Sequence, residues 1–148
     1  MRVAAVDLGK VRVGLAVSDE LGVLAHPKAA LAGGNRKKLL ADLAALAEAD
    51  AIERFLVGLP LNRSGDEGRE AERARKFAQA LADATGREVE LVDERLSTVE
   101  ATRRLAEGGV SAQKRRPRVD SASAAVLLQA WLDRGPRRGR RPSSEPPR

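Results

Sequence analysis

Two strand-like stretches near the N-terminus are separated by only four residues. Residues 2–6 (RVAAV) form a short apolar run, and residues 11–18 (VRVGLAVS) alternate between apolar and small or polar side chains. That alternation is the period of a strand with one covered face. A connection as short as Asp7-Leu8-Gly9-Lys10 forces the two strands to lie antiparallel and adjacent. A third strand is expected to start at Gly22-Val23-Leu24-Ala25 and to be broken by Pro27.

The pattern then changes. Asn35 reads as an N-cap before a helical repeat through about Glu48, with Leu39, Leu40, Leu43 and Leu46 on one side. Residues 53–59 (ERFLVGL) read as a buried strand. The loop from Pro60 to Gly68 follows it. The next helix, 69–85, carries Ala71, Ala74, Phe77, Ala78 and Leu81 inward and is stopped by Gly86. Residues 88–92 (EVELV) form another strand, with Asp93-Glu94-Arg95 at its C-terminal end. Ser97-Thr98-Val99-Glu100 has capping-box spacing, so a helix is expected from there to Glu107. A last, largely apolar helix is expected from about Val119 to Asp133. Hairpin-linked strands followed by helix-linked strands imply an α/β fold with a mixed five-stranded sheet and helices on both faces.

At 148 residues the chain is the size of one domain, and 43 % hydrophobic content is enough for a core. Residues 1–134 are expected to form that domain. Residues 135–148, rich in Pro, Gly, Arg and Ser, are expected to form a disordered tail. The tail holds five Arg and one Glu, so it carries +4 of the net +6. A basic tail suits a polyanionic partner. No apolar run reaches membrane-spanning length, and early charges at Asp7, Lys10 and Arg12 interrupt any signal-peptide core, so the expected compartment is the cytoplasm.

The absence of Cys removes thiolate catalysis and sulfur-ligated metals, and a single His, His26, makes no multi-histidine site. Before Pro27, His26 suits a structural or surface role. Catalysis must rest on carboxylates, cations, hydroxyls and bound metal. In open α/β sheets sites form at strand C-terminal ends. Asp7 closes the first strand and is followed by Gly9, and Asp93-Glu94 closes the last. Either of those two acids suits the role on spacing alone. Asp120 opens the final helix after four cations, Lys114, Arg115, Arg116 and Arg118. Each acid also has a structural explanation: a hairpin corner for Asp7, and helix N-terminal acids for the others. Carboxylates that gather, however, suit magnesium or manganese, which prefer oxygen ligands.

Four motifs occur in order: Asp7-x-Gly9-x-x-Arg12-x-Gly14; Val57-Gly58-Leu59-Pro60-Leu61-Asn62 with Gly65; Asp93-Glu94-Arg95-Leu96-Ser97-Thr98; and the segment from Asp120 through Gln129 to Trp131-Leu132. Together they resemble the YqgF/RuvX family, Holliday-junction-resolvase-like proteins also assigned as pre-16S rRNA nucleases. The likeness spans residues 1–133. It implies an RNase H-like fold and Mg2+- or Mn2+-dependent phosphodiester hydrolysis, at the 5′ end of pre-16S rRNA. It implies Asp7, Glu94 and Asp120 as catalytic metal ligands, choosing Glu94 over Asp93. Arg12, Arg95, Lys114, Arg115, Arg116 and Arg118 would then hold nucleic-acid phosphates. Trp131 departs from the family's usual Tyr or Phe, and the Arg-rich tail lies outside the pattern. With aromatics at 2 %, and Phe77 and Trp131 read as core, base stacking is not expected, and recognition should run through charge and shape.

Other readings compete. One is a resolvase of branched DNA. Another is a non-catalytic RNA-binding ribosome-assembly factor. A third is an ATP-handling protein, because Asp-x-Gly beside a hairpin also resembles sugar-kinase and actin-like phosphate loops; those proteins need a duplicated domain. The chain is expected to act as a monomer or homodimer.

Overall fold

The computed structural model describes residues 1–62, 64–96, 102, 103, 106 and 121–134. Three strands lead: β1 (Arg2–Leu8), β2 (Arg12–Ser18) and β3 (Ala25–Ala32). Then come α1 (Arg36–Ala49), β4 (Ile52–Leu59), α2 (Arg69–Thr85) and β5 (Glu88–Asp93). A single 3-10 turn (Glu94–Leu96) follows β5, and α3 (Ala122–Asp133) packs last. The helix expected over 97–107 lies almost wholly outside the described residues. So do Lys114, Arg115, Arg116, Arg118, Asp120 and the 135–148 tail.

The strands form one sheet in the order β3-β2-β1-β4-β5. β1–β2 and β2–β3 pair antiparallel, as short connections demand. β1–β4 and β4–β5 pair parallel, each through a helical crossover. This is the mixed five-stranded sheet that the order of patterns implies. Side chains alternate between its faces. Val6, Val13, Leu15, Phe55 and Val57 pack with α1 and α2 on one side. Val3, Ala5, Ala16, Leu56 and Val92 pack with α3 on the other.

The helix signals act as expected. The Asn35 side chain accepts the Lys38 amide, and Gly86 ends α2 in the left-handed conformation at φ 71°. Pro27 differs from expectation. It does not break the third strand but sits within it, opposite Ala16. β3 is the edge of the sheet, where a residue without an N–H costs the ladder nothing on its open side.

The most consequential local feature is a break in the β2–β3 register between Val13 and Leu15. The buried hydroxyl of Ser121, at the start of α3, fills it. It accepts the Leu15 amide at 2.9 Å and donates to the Lys28 carbonyl at 2.6 Å. Leu15 and Lys28 are register partners, so the hydroxyl stands where a ladder hydrogen bond would otherwise form. Farther along α3, the buried Gln129 accepts the Ala25 amide and donates to the Val23 carbonyl, each at 2.9 Å. Two polar side chains thus fasten an apolar helix in one position.

Ser121→Ala should therefore leave a buried amide and carbonyl unpaired and lower stability by about 1–3 kcal/mol. Chemical denaturation measures this, and a variant as stable as the parent would refute the wedge role.

Candidate active site

The parallel strands bring three C-terminal ends to one edge of the sheet. Val6 of β1 pairs with Val57, and Gly58 pairs with Val92, so Asp7 and the Asp93-Glu94 corner flank Gly58 on either side. Two strand spacings separate β1 from β5, roughly 10 Å. A carboxylate leaving β5 must cross the middle strand to meet one on β1. Glu94 does so because position 58 has no side chain. A Cβ on Gly58 would lie 2.6 Å from Glu94 Oε2 and 3.1 Å from its Cγ, so the Glu94 side chain would have to shift from its present path.

The outcome is an interacting pair of carboxyls. Burial first, then a hydrogen bond and charge repulsion from Asp7, push the Glu94 carboxyl up from 4.5 to about 8, with smaller contributions from Glu70 and Asp93. Near neutral pH Glu94 keeps its proton and donates it toward Asp7. Its sequence neighbour has the opposite environment. Hydrogen bonds from Arg95 hold Asp93 below the usual carboxylate range. Arg95 Nε lies 3.1 Å from both Asp93 oxygens, Nη2 lies 2.8 Å from Oδ2, and the Arg95 amide bonds Oδ1 at 2.9 Å. Of two adjacent acids, one is locked in a surface ion pair and the other is turned toward Asp7.

Asp7 and Glu94 line a cleft of about 260 Å³, shared with Lys10, Pro60, Glu70 and Arg73. Asp7 also lines a shallower neighbouring hollow with Lys10 and Arg12. The turn between β1 and β2 forms the wall between them. The Gly9 amide bonds the Arg12 carbonyl at 3.0 Å, and a Cβ at Gly9 would lie 2.5 Å from that oxygen. Gly9 is thus set by the closeness of the turn.

Of the residues singled out in the sequence, Asp7, Arg12, Glu94 and Arg95 fall at this edge. Asp120 and the four cations before it lie outside the described residues. Sequence reasoning missed Glu70 and Arg73, and named Gly58 only as part of a motif, without a role. A glycine inside an otherwise apolar strand signals a close approach, and that signal was present at Gly58. His26 is exposed on the edge strand, and Phe77 and Trp131 are buried, as expected.

Among the described residues no group of three or more His, Cys, Asp or Glu is arranged to hold a metal. The Asp7–Glu94 pair nevertheless fits a hard divalent cation. It is an all-oxygen donor set that lines a polar cleft open to solvent. Such ions commonly take one or two protein carboxylates and fill the remainder with water and substrate phosphate.

A family model described as RuvX, Holliday junction resolvase, matches residues 1–134. The chain belongs to the RuvX family. A protein of Anaeromyxobacter sp. (strain Fw109-5) is 49 % identical over 133 residues, covering 90 % of this chain and 97 % of that one. A Myxococcus xanthus protein is 47 % identical over 133 residues, covering 90 % and 88 %. Both are provisionally named pre-16S rRNA nuclease. Among solved structures, Thermus thermophilus RuvC in complex with a Holliday junction substrate superposes with a TM-score of 0.65 over 95 % of this chain and 97 % of that one. At 18 % identity that likeness establishes the shared RuvC-type, RNase H-like fold. The chain is a hydrolase of the nuclease class, as its family is.

The raised Glu94 value sets a sign for stability. The folded state binds this proton more tightly than the unfolded chain, so the contribution is full at acid pH and is lost as pH rises from about 4.5 toward 8. Glu94→Gln removes the ionisation. Its stability relative to the parent should grow across that window, to roughly 1–2 kcal/mol once solvent screening of a half-buried group is allowed for. Thermal unfolding of metal-free protein at a series of pH values tests this, and parallel profiles would contradict it.

Proposed function

We propose that the chain is a divalent-cation-dependent endonuclease whose centre is the Asp7–Glu94 pair, completed by Asp120, and that it trims the 5′ end of pre-16S rRNA. The observation that carries this reading is the approach of Glu94 over Gly58 to Asp7. A protonated carboxyl beside a second one in a polar cleft is poised to give up its proton to a cation. Magnesium or manganese bound there would supply activation of water and stabilisation of the leaving oxygen.

The chain's own residues divide the remaining work. Asp7 is held by β1 and by the Gly9 turn, and Glu94 is held by β5 and the 3-10 turn after it. Gly58 keeps the path between them open. Asp93, neutralised by Arg95, adds no competing free carboxylate. For Asp120 the support is its neighbour in the chain. Ser121 is fixed to Leu15, the residue next to Gly14, and Gly14 is the direct partner of Asp7 across β1–β2. Arg12, in the hollow beside Asp7, and Arg95, exposed at the edge, would contact phosphates together with Lys114, Arg115, Arg116 and Arg118.

The substrate assignment rests on the provisional name shared by the curated relatives. The family description and the RuvC-like fold favour a second reading, resolution of a four-way DNA junction. A cleavage assay presenting precursor rRNA and four-way junctions side by side, with magnesium or manganese, separates the two. Asp7→Asn and Glu94→Gln should each abolish metal-dependent cleavage while the fold persists. Full activity in either variant would overturn the assignment of the centre. Gly58→Ala should lower the rate by roughly 10- to 100-fold, because a displacement of about 1 Å at a reacting centre costs that much. An unaffected rate in that variant would mean that Glu94 has no need of the open path.

A further inference from the structure

Arg73 is an unassigned cation in the cleft. It projects from α2, is exposed, and lines the same cavity as Asp7 and Glu94. Its Nη2 donates to the Gly9 carbonyl at 3.1 Å, joining α2 to the turn that follows Asp7. That contact occupies one of the five N–H donors of a guanidinium.

Acidic side chains share the cleft with it. Asp7, Glu94 and Glu70 line the cleft, and Glu70 lies one helical turn before Arg73 on α2. A phosphodiester approaching them meets like charge unless a cation stands on its path. Lys10 lines the cleft as well, but from the turn. Arg95 stands at the sheet edge and does not line this cleft. Arg73 stands on a 17-residue helix and is braced against Gly9, so its planar fork is held in place for phosphate oxygens.

We propose that Arg73 grips a backbone phosphate of the nucleic-acid substrate at the cleft, next to the Asp7–Glu94 pair. This inference rests on the nuclease reading above and adds a binding residue to it.

The test is equilibrium binding of the full chain to a short RNA duplex and to a four-way DNA junction, in metal-free buffer over a range of salt. Each phosphate contact adds roughly 0.7–0.9 to the slope of log affinity against log salt. Arg73→Met and Arg73→Gln should each lower the slope by about that amount, and Arg73→Lys should restore most of it. Arg75→Met is the control, because Arg75 lies on the same helix but pairs with Glu67. It should leave the slope unchanged. A brace between α2 and the turn would lower thermal stability without altering the slope, so variants that stay folded and keep the parental slope would overturn the proposal. If one neutral variant fails to fold, the other decides. A parent chain that binds nucleic acid but cleaves none with magnesium or manganese would overturn the nuclease reading, while the slopes still decide Arg73. A parent that binds neither nucleic acid would overturn both.

Discussion

The approach of Glu94 to Asp7 across the middle strand of a parallel triplet is the constraint on which the site depends. β1, β4 and β5 lie side by side, so their C-terminal ends share an edge, but a carboxylate from one outer strand must cross the middle strand to meet one from the other. An absent side chain at position 58 removes the obstacle. The arrangement has a stability cost, because a partly buried acid is forced against another and held protonated well above its ordinary range. Strain of this electrostatic kind gathers at functional sites, where a ligand relieves it. A divalent cation held by Asp7 and Glu94 would provide that relief.

The rest of the fold serves this edge. The short β1–β2 turn projects Gly9 beside the cleft, and α2 supplies the opposite wall through Glu70 and Arg73. α3 is fastened to β2 and β3 by Ser121 and Gln129 rather than by apolar contacts alone. Apolar packing is non-directional and tolerates sliding, whereas a hydroxyl wedged into a broken ladder fixes one register. The helix that Asp120 precedes in sequence is therefore held against the strand carrying the direct neighbour of Asp7.

Much of this was legible in the sequence because periodicity and punctuation are local. The hairpin followed from a four-residue gap, α1 from Asn35 and its leucines, and α2 from Ala71, Ala74, Phe77, Ala78, Leu81 and Gly86. Pro27 misled because its effect depends on whether its strand is central or at an edge, a matter of topology rather than of neighbours in the chain. Asp93 and Glu94 were indistinguishable by spacing, since both end the same strand, and only the resemblance chose between them. The structure supplies a physical basis: Arg95 claims Asp93, and burial beside Asp7 sets Glu94 apart. Arg73 and the Ser121 wedge were not legible, because their partners lie 64 and 106 residues away.

The central claim is that Glu94 holds a proton beside Asp7 and gives it up to a divalent cation. A carboxyl-carbon NMR titration of Glu94, with and without magnesium, tests it most directly. The account predicts a midpoint near 8 in metal-free protein, moving sharply toward acid when magnesium is present. An ordinary carboxylate midpoint that magnesium leaves unmoved would contradict it.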